Sequence, residues 1–307
     1  MPGLDTNIAR QLGLDYAAGI NAPVPGQEGF VTVVDETGKN LLYVPADTIG
    51  SPGPTVAKRI TAPDASTVIR WKLDEPSGNW LNTGSGAACP LVESGSTHTL
   101  VRARRGILGP CLEQISNTGT PALETANTSV GESNSLTLSL WFQPASDGSP
   151  GYSTEQLLVG KNASAGNTWG DPFATGLVTI HGQLWFYYVV GSGGHQLSAF
   201  SPRNNGGSQD TLASLPAGVW HHIAATFDAA TGTASLYRNG LLVGQEIVGA
   251  SNLGWGAHGP WAVGHRFSLA SAGAKVFGAF ADIRVENVVR SQAYLSDLYH
   301  QGTGLFL

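Results

Sequence analysis

Seven short runs of β-forming residues follow one another from about Thr67 onward, and they constrain the fold more than any other feature of the sequence. The runs are SLTLSLWFQP, QLLVGK, GLVTIHGQLWFYYVVG, GVWHHIAATFD, TASLYRNGLLVGQEIV, WAVGHRF and GAFADIRVEN. Each run is bounded by Gly, Pro, Asn or Asp, residues that favour turns. Short strands at this spacing, without long helices between them, predict an all-β sandwich or barrel.

The clearest local signal is the pair Asn239-Gly240, which separates TASLYR from LLVGQ. Both residues tolerate positive φ, so the pair predicts a type I′ hairpin. The run GVWHHIAATFD alternates in a way that favours one face packed against a second sheet. A helix is predicted only near the C-terminus, where Ser291 caps SQAYLSDLYHQG and Gly302 ends it.

Residues 1–66 have a different character from residues 67–307, which we expect to form the folded domain. The first segment combines a short amphipathic helix, Pro- and Gly-rich linkers and a β-hairpin within FVTVVDETGKNLLYVPAD. A helix this short or a lone hairpin is marginal in water, so we expect an attachment arm, with a loosely appended tail as the alternative. The apolar residues expected to make the attachment are Leu4, Ile8, Leu12, Phe30 and Tyr43.

The charge balance argues against a nucleic-acid partner. Sixteen Lys and Arg against 22 Asp and Glu give a net charge of −6, which leaves no basic face to follow a phosphate backbone. The triplet Arg102, Arg104 and Arg105 is typical of a solvated strand edge. No apolar run approaches the roughly 18 residues of a membrane helix, and MPGLDTNIAR lacks the features of a classical signal peptide.

The two cysteines, Cys89 and Cys111, are too few for a disulfide framework. Either they pair as one disulfide that closes a β-hairpin, or they remain buried thiols. The sequence leaves both alternatives open.

Four segments together resemble the laminin-G-like, concanavalin A-like jelly rolls. The string GVWHHIAATFDAATGTASLYRNGLLVGQ resembles the central signature of that family. RWKLDEPSG, SLTLSLWFQP and GAFADIRVENVVRSQAYLSDLY resemble its opening strand, its apolar strand ending in Trp, and its closing strand with a short helix. The resemblance spans Arg70 to Tyr299. It implies an all-β, two-sheet antiparallel jelly-roll sandwich with a short C-terminal helix, here preceded by the arm with its hairpin.

Catalysis is not expected from the residues present. Glycoside hydrolases with this sandwich resemble one another in carrying Glu-x-Asp-x-x-Glu on one strand, and the sequence has no such string. Asp74 and Glu75 are adjacent, so they are assigned to a turn before Pro76. His221 and His222 are also adjacent and are assigned to strand packing. We therefore expect a non-enzymatic protein.

The resemblance also implies rim loops that bind ligands. Laminin-G-like and pentraxin-like domains often hold calcium with Asp and Asn at such loops, and the candidates here are Asn167, Asp171 and Asp210, which serve equally well as turn formers. Trp169 and Trp255 lie in Gly-rich loops. A large ring is costly to expose without a use, so these two are the candidate ligand-binding residues.

The arm looks like the attachment segments of bacteriophage virion proteins. The leading hypothesis is therefore a non-enzymatic virion structural protein, such as a capsid decoration, a head fibre or a tail-attached protein. It would be made in the host cytoplasm, dock on other virion proteins through residues 1–66, and display its jelly-roll head for stabilisation or host-glycan binding. The alternative is a bacterial carbohydrate-binding or adhesin module.

If the arm is an assembly device, we expect the full chain to be a homo-oligomer, with a trimer as the first expectation and a dimer as the second. A shortened chain that begins at Thr67 is then a monomer. Light scattering on both chains measures their molar masses. Two monomers would contradict an assembly role for the arm.

Overall fold

The computed structural model describes residues 30–34, 40–45, 64–93, 98–117, 123–145, 156–162, 173–180, 183–190, 193–197, 215–255, 259–264 and 276–303. The predicted helix with Leu4, Ile8 and Leu12 lies outside these residues. The chain divides into two units, Met1–Ala62 with His300–Leu307, and Pro63–Tyr299.

The predicted hairpin is present in the first unit. Strand β1 (Phe30–Val34) pairs antiparallel with β2 (Asn40–Pro45). Phe30 lies opposite Pro45, and Tyr43 lies opposite Thr32. This antiparallel pairing agrees with the hairpin that the sequence predicts.

The second unit is built from antiparallel strands and one helix. The strands are β3 (Thr67–Trp71), β4 (Val92–Glu93), β5 (His98–Gly106), β6 (Gly109–Asn117), β7 (Leu123–Glu124), β8 (Leu136–Pro144), β9 (Gln156–Asn162), β10 (Phe173–Ile180), β11 (Gln183–Val190), β12 (Gly193–Leu197), β13 (His221–Asp228), β14 (Thr233–Arg238), β15 (Leu241–Ile247), β16 (Trp261–Val263) and β17 (Gly278–Glu286), and the helix is α1 (Gln292–Thr303). The seven-stranded sheet has the order β12-β11-β10-β9-β16-β7-β4. The eight-stranded sheet has the order β15-β14-β13-β8-β17-β6-β5, with β3 also paired to β17. Two antiparallel sheets with a short terminal helix confirm the expected jelly-roll sandwich.

The hydrophobic core lies between the two sheets. Alternation in β8 and β13 directs Leu138, Leu140, Ile223 and Phe227 into this core, and all four are fully buried. Trp71 from β3 joins the same cluster. Burial of such side chains stabilises a fold by about 1.5–3 kcal/mol each, so the facing sheets supply the main driving force for folding.

Strand β17 has an unusual position because two strands share one of its sides. It pairs with β6 over Gly278–Phe280 and with β3 over Ile283–Glu286, while β8 lines the other side. The change of partner occurs at Asp282, a non-glycine residue with φ of 45°. Its N–H donates to the Lys72 carbonyl at 3.2 Å.

Two arginines compensate the buried charge of Asp282. Arg70 Nε lies 2.5 Å from one carboxylate oxygen of Asp282, and Arg284 Nη2 lies 2.6 Å from the other. Burial opposes ionisation of Asp282, but the neighbouring Arg284 and Arg70 hold its pKa below its ordinary value. Both arginines therefore favour the backbone conformation in which β17 changes partners.

Helix α1 covers the outer side of the eight-stranded sheet. Leu295 and Leu298 pack with Tyr237 of β14. The Ser291 hydroxyl accepts the N–H of Tyr294 at 3.2 Å, which confirms the predicted N-cap. The helix continues one residue beyond the predicted end at Gly302.

The cysteines are both buried and free. Cys89 belongs to the core between the sheets, whereas Cys111 packs beside Trp141 in a separate cluster on the outer side of the eight-stranded sheet. The structure therefore has the buried-thiol alternative and no Cys89–Cys111 disulfide. Burial raises the pKa of the Cys111 thiol to about 11.

His222 is the most strongly perturbed histidine of the described residues. Its ring lies 5.2 Å from that of Trp141 and is fully enclosed. Burial lowers its pKa from 6.5 to about 3. The residue is therefore neutral in the fold, which agrees with its assignment to packing.

We expect stability to fall on acidification because of this histidine. Between about pH 3 and 6.5 the unfolded chain binds a proton at His222 that the folded chain does not. The stabilisation that depends on a neutral His222 is therefore complete above pH 6.5. As the pH falls below that value, the free energy of unfolding decreases by at most about 1.4 kcal/mol per pH unit. Urea denaturation at pH 7 and 5.5 measures the effect. His222→Phe should reduce the pH dependence of the free energy of unfolding, and the control Leu241→Ala, at an exposed residue that does not titrate, should not. An unchanged pH dependence in His222→Phe would contradict the assignment.

Candidate functional site

The side of the seven-stranded sheet that faces away from the core carries a second apolar cluster. In β11, Phe186 and Tyr188 point into the core, whereas Trp185 and Tyr187 point to the other side. The members of this second cluster are Leu157, Val178, Trp185, Tyr187 and Ala262. This side of the sheet therefore carries a small packed apolar cluster of its own.

A continuous line of residues crosses this side of the sheet, and we call it the outer row. Tyr187 lies opposite Gly176, Gly176 opposite Gly160, Gly160 opposite Ala262, and Ala262 opposite Glu124. Strands in a sheet are about 4.8 Å apart, so Tyr187 and Glu124 are separated by about 19 Å. The row thus has an aromatic ring at one end, a carboxyl group at the other, and a floor of three small residues.

The two ends of the outer row differ in exposure. Trp185 and Tyr187 are 7% and 6% exposed, so little of either ring is accessible. Glu124 is half-buried, and Val92, opposite it on β4, is 41% exposed. A ligand therefore makes its first contact with the row at the Glu124 end.

Glu124 is suited to binding neutral polar groups. Burial raises the pKa of its carboxyl group above the ordinary value. The carboxyl oxygens accept hydrogen bonds from hydroxyl groups such as those of sugars. Among the described strands of this sheet, the other carboxylate is Glu93, and it lies opposite Leu123, a core residue, so the register places it on the other side.

The candidate calcium ligands Asn167, Asp171 and Asp210, and the candidate ligand-binding Trp169, lie outside the described residues and stay predictions. Trp255 is half-buried. Its indole N–H donates to the Ser133 carbonyl at 3.0 Å, and its ring lies 6.3 Å from that of Trp261. Trp255 thus packs against the core, and its ligand-binding role also stays a prediction.

The residues assigned to structure rather than chemistry have local partners. The Glu75 carboxylate accepts the N–H of Leu81 at 2.9 Å, and a ring nitrogen of His221 lies 3.2 Å from the Pro216 carbonyl. Within the described parts of the chain, no group of three His, Cys, Asp or Glu residues is arranged to hold a metal ion. No helix among the same residues is long and apolar enough to cross a membrane.

The outer row was not predicted from the sequence. A usable signal was present, since Gly160 and Gly176 interrupt otherwise apolar strands, and glycine inside a strand indicates close approach of a ligand or of another backbone. That the two glycines face one another depends on the strand register, which the sequence does not reveal.

Comparison with known proteins supports the fold and the family. A family model described as the concanavalin A-like lectin/glucanases superfamily matches residues 117–296. No curated protein sequence matches this chain.

Several solved structures have a similar fold at low identity. Domain 4 of AbnA, an extracellular arabinanase from Geobacillus stearothermophilus in complex with arabinotriose, has a TM-score of 0.51 and 15% identity, over 77% of this chain and 99% of that one. The binding domain of Paraclostridial Mosquitocidal Protein 1 has a TM-score of 0.54 and 14% identity, over 76% and 52%. The botulinum neurotoxin type G receptor-binding domain has a TM-score of 0.50 and 12% identity, over 76% and 51%. This chain therefore spans about half the length of the two toxin domains.

Two glycine substitutions test the floor of the outer row. A Cβ at residue 160 would lie 2.8 Å from the Thr175 carbonyl oxygen, whereas at residue 176 the nearest atom would be 3.1 Å away. Gly160→Ala should therefore lower the free energy of unfolding by about 1–3 kcal/mol, and the matched Gly176→Ala by less. Urea denaturation measures both; equal losses would contradict this packing.

Proposed function

The chain belongs to the concanavalin A-like lectin/glucanase superfamily, and on that premise we propose that it is a carbohydrate-binding module whose ligand docks at the Glu124 end of the outer row. The observation that carries the proposal is the exposure at that end, where the half-buried carboxyl group of Glu124 lies beside the exposed side chain of Val92. Binding sites for small molecules typically pair an apolar surface with a few fixed polar groups.

The chemistry of the row suits a neutral, extended glycan. Sugar rings have an apolar face that packs on exposed apolar side chains such as Val92, while their hydroxyls donate hydrogen bonds to a group such as Glu124. The row offers no cationic side chain, so an acidic glycan would gain nothing from it.

Two of the similar structures support the choice of ligand class. The AbnA domain was solved with an oligosaccharide, arabinotriose, and the botulinum domain is titled a receptor-binding domain. Those statements concern those proteins. They favour binding as the function to test first here.

We propose binding without cleavage. Glycoside hydrolysis generally requires two carboxyl groups on either side of the scissile bond. On the described part of the outer side of the seven-stranded sheet, Glu124 is the one carboxyl group. The proposal is therefore a non-enzymatic module.

A finer proposal concerns the place where the module acts. The separate unit formed by the chain termini supports an attachment segment, and we retain the hypothesis that residues 1–66 dock the protein on a bacteriophage particle. A bacterial adhesin module is the alternative. The molar masses of the full and the shortened chain test this proposal. The shortened chain is better begun at Pro63, because Asp64 forms an ion pair with Arg290 at 2.6 Å.

Glycan binding by the full chain tests the proposed function. A glycan array identifies a ligand, and calorimetry then compares variants. Glu124→Ala should weaken binding by up to about tenfold, the value of one hydrogen bond, and Val92→Ala, at the exposed residue opposite Glu124, should weaken it by less. The control Leu241→Ala changes a residue of the other sheet that is 65% exposed and should have no effect.

Three outcomes would overturn the proposal. The first is the absence of binding to every neutral glycan on the array. The second is unchanged affinity in both Glu124→Ala and Val92→Ala. The third, the release of reducing sugar from the bound glycan by the wild-type chain, would show that the protein is an enzyme.

A further inference from the structure

Lys161 on β9 has a wholly buried ammonium group. Its side chain is 0% exposed. The ammonium donates to the carbonyl oxygens of Thr128 and of Gly259, the latter at 2.5 Å, and lies 3.2 Å from a carboxylate oxygen of Glu132. Three oxygen atoms from two segments of the chain therefore surround one positive charge.

These oxygens are of the type that hard cations select. Carboxylate and backbone carbonyl oxygens are the usual protein ligands of such ions. The ring of Trp261 lies 5.5 Å from the ammonium and adds a favourable cation–π contact. Burial lowers the pKa of Lys161, while Glu132 opposes that shift; the oxygen cage therefore compensates for lost hydration.

The Lys161 ammonium connects β9 to two other segments of the chain. Thr128 and Glu132 belong to residues 125–132, which directly follow β7, and Gly259 precedes β16. The backbone N–H of Trp261 donates to the Thr125 hydroxyl at 2.9 Å. The ammonium thus lies where the segment after Glu124 meets the strands that supply Gly160 and Ala262.

We propose that the carbonyls of Thr128 and Gly259 and the carboxylate of Glu132 form a cation site that the tethered ammonium of Lys161 occupies. Shortening this side chain converts the cage into a site for a free cation. The site itself is independent of the proposed function. Its role in holding Glu124 in position on the outer row rests on that function.

The charge of the cage selects a monovalent cation. One carboxylate balances one positive charge, as it does for Lys161. Free ammonium reproduces the lysine group most closely, and potassium is its nearest metal analogue. Calcium carries twice the charge and takes six to eight oxygen ligands, so the cage satisfies it less well.

Thermal unfolding of the full chain tests the site with a matched pair of variants. Lys161→Ala removes the ammonium and leaves space, whereas Lys161→Met removes the charge and keeps the volume. The melting temperature Tm is measured in ammonium, potassium and calcium chloride, with choline chloride at equal ionic strength as the reference. No glycan is present, so this test is independent of the proposed function.

The expected result is a lower Tm for both variants and a selective recovery. Ammonium or potassium should raise the Tm of Lys161→Ala by several degrees with saturation, and should leave wild type and Lys161→Met unchanged. A larger rise in calcium chloride would overturn the assignment of a monovalent site. Two results would overturn the cation site altogether. The first is a Tm of Lys161→Ala in choline chloride that equals the Tm of the wild type. The second is an equal change of Tm with each salt in the two variants.

A second measurement applies if Lys161→Ala does not fold. Lys161→Met, Glu132→Gln and the double variant form a thermodynamic cycle. If the cation site is present, the double variant loses less free energy of unfolding than the sum of the losses in the two single variants. Additive losses would overturn the proposal.

Discussion

The ion pairs at Asp282 are the interaction on which the rest of the eight-stranded sheet depends. They stabilise a positive-φ residue in the middle of β17, and this lets one strand pair with β8 on one side and with β6 and then β3 on the other. Pairing with β3 brings Ile69 and Trp71 into the core. A second group of ion pairs joins Arg290 to Glu286 and Asp64. Removal of Asp282 would leave the buried charges of Arg70 and Arg284 uncompensated, which typically costs about 3–5 kcal/mol.

The eight-stranded sheet, held in this way, leaves the other sheet available for binding. Helix α1 covers the outer side of the eight-stranded sheet through Leu295 and Leu298. The outer side of the seven-stranded sheet instead presents the outer row, from Tyr187 to Glu124. The cage around Lys161 fixes the segment that follows Glu124. Each sheet therefore contributes one side to the shared core. Helix α1 covers the outer side of the eight-stranded sheet, and we assign the outer side of the seven-stranded sheet to ligand binding.

Short-range signals in the sequence predicted the fold. The features that the sequence did not reveal depend on contacts between residues that are far apart in the chain. Asn239-Gly240 predicted its hairpin because the turn requires positive φ, and both residues have it, at 54° and 77°. Ser291 predicted the start of α1 because an N-cap acts within one turn. The outer row was missed because it exists only through the register of five strands. Lys161 was missed because its three oxygen partners lie from 29 to 98 residues away in sequence. Trp255 lies in a Gly-rich loop and still packs against the core, so loop position did not predict exposure.

Amide chemical-shift mapping during titration with a glycan that the array identifies shows directly whether the ligand binds the outer side of the seven-stranded sheet. A deuterated, 15N-labelled sample of the full chain gives one signal per non-proline backbone amide and locates the contact without any substitution. We expect the largest shifts at the Glu124 end of the outer row, at Val92, Glu124 and Ala262, and no shifts in the amides of β14 and β15. Shifts confined to the eight-stranded sheet, with none at the Glu124 end of the outer row, would exclude this binding site.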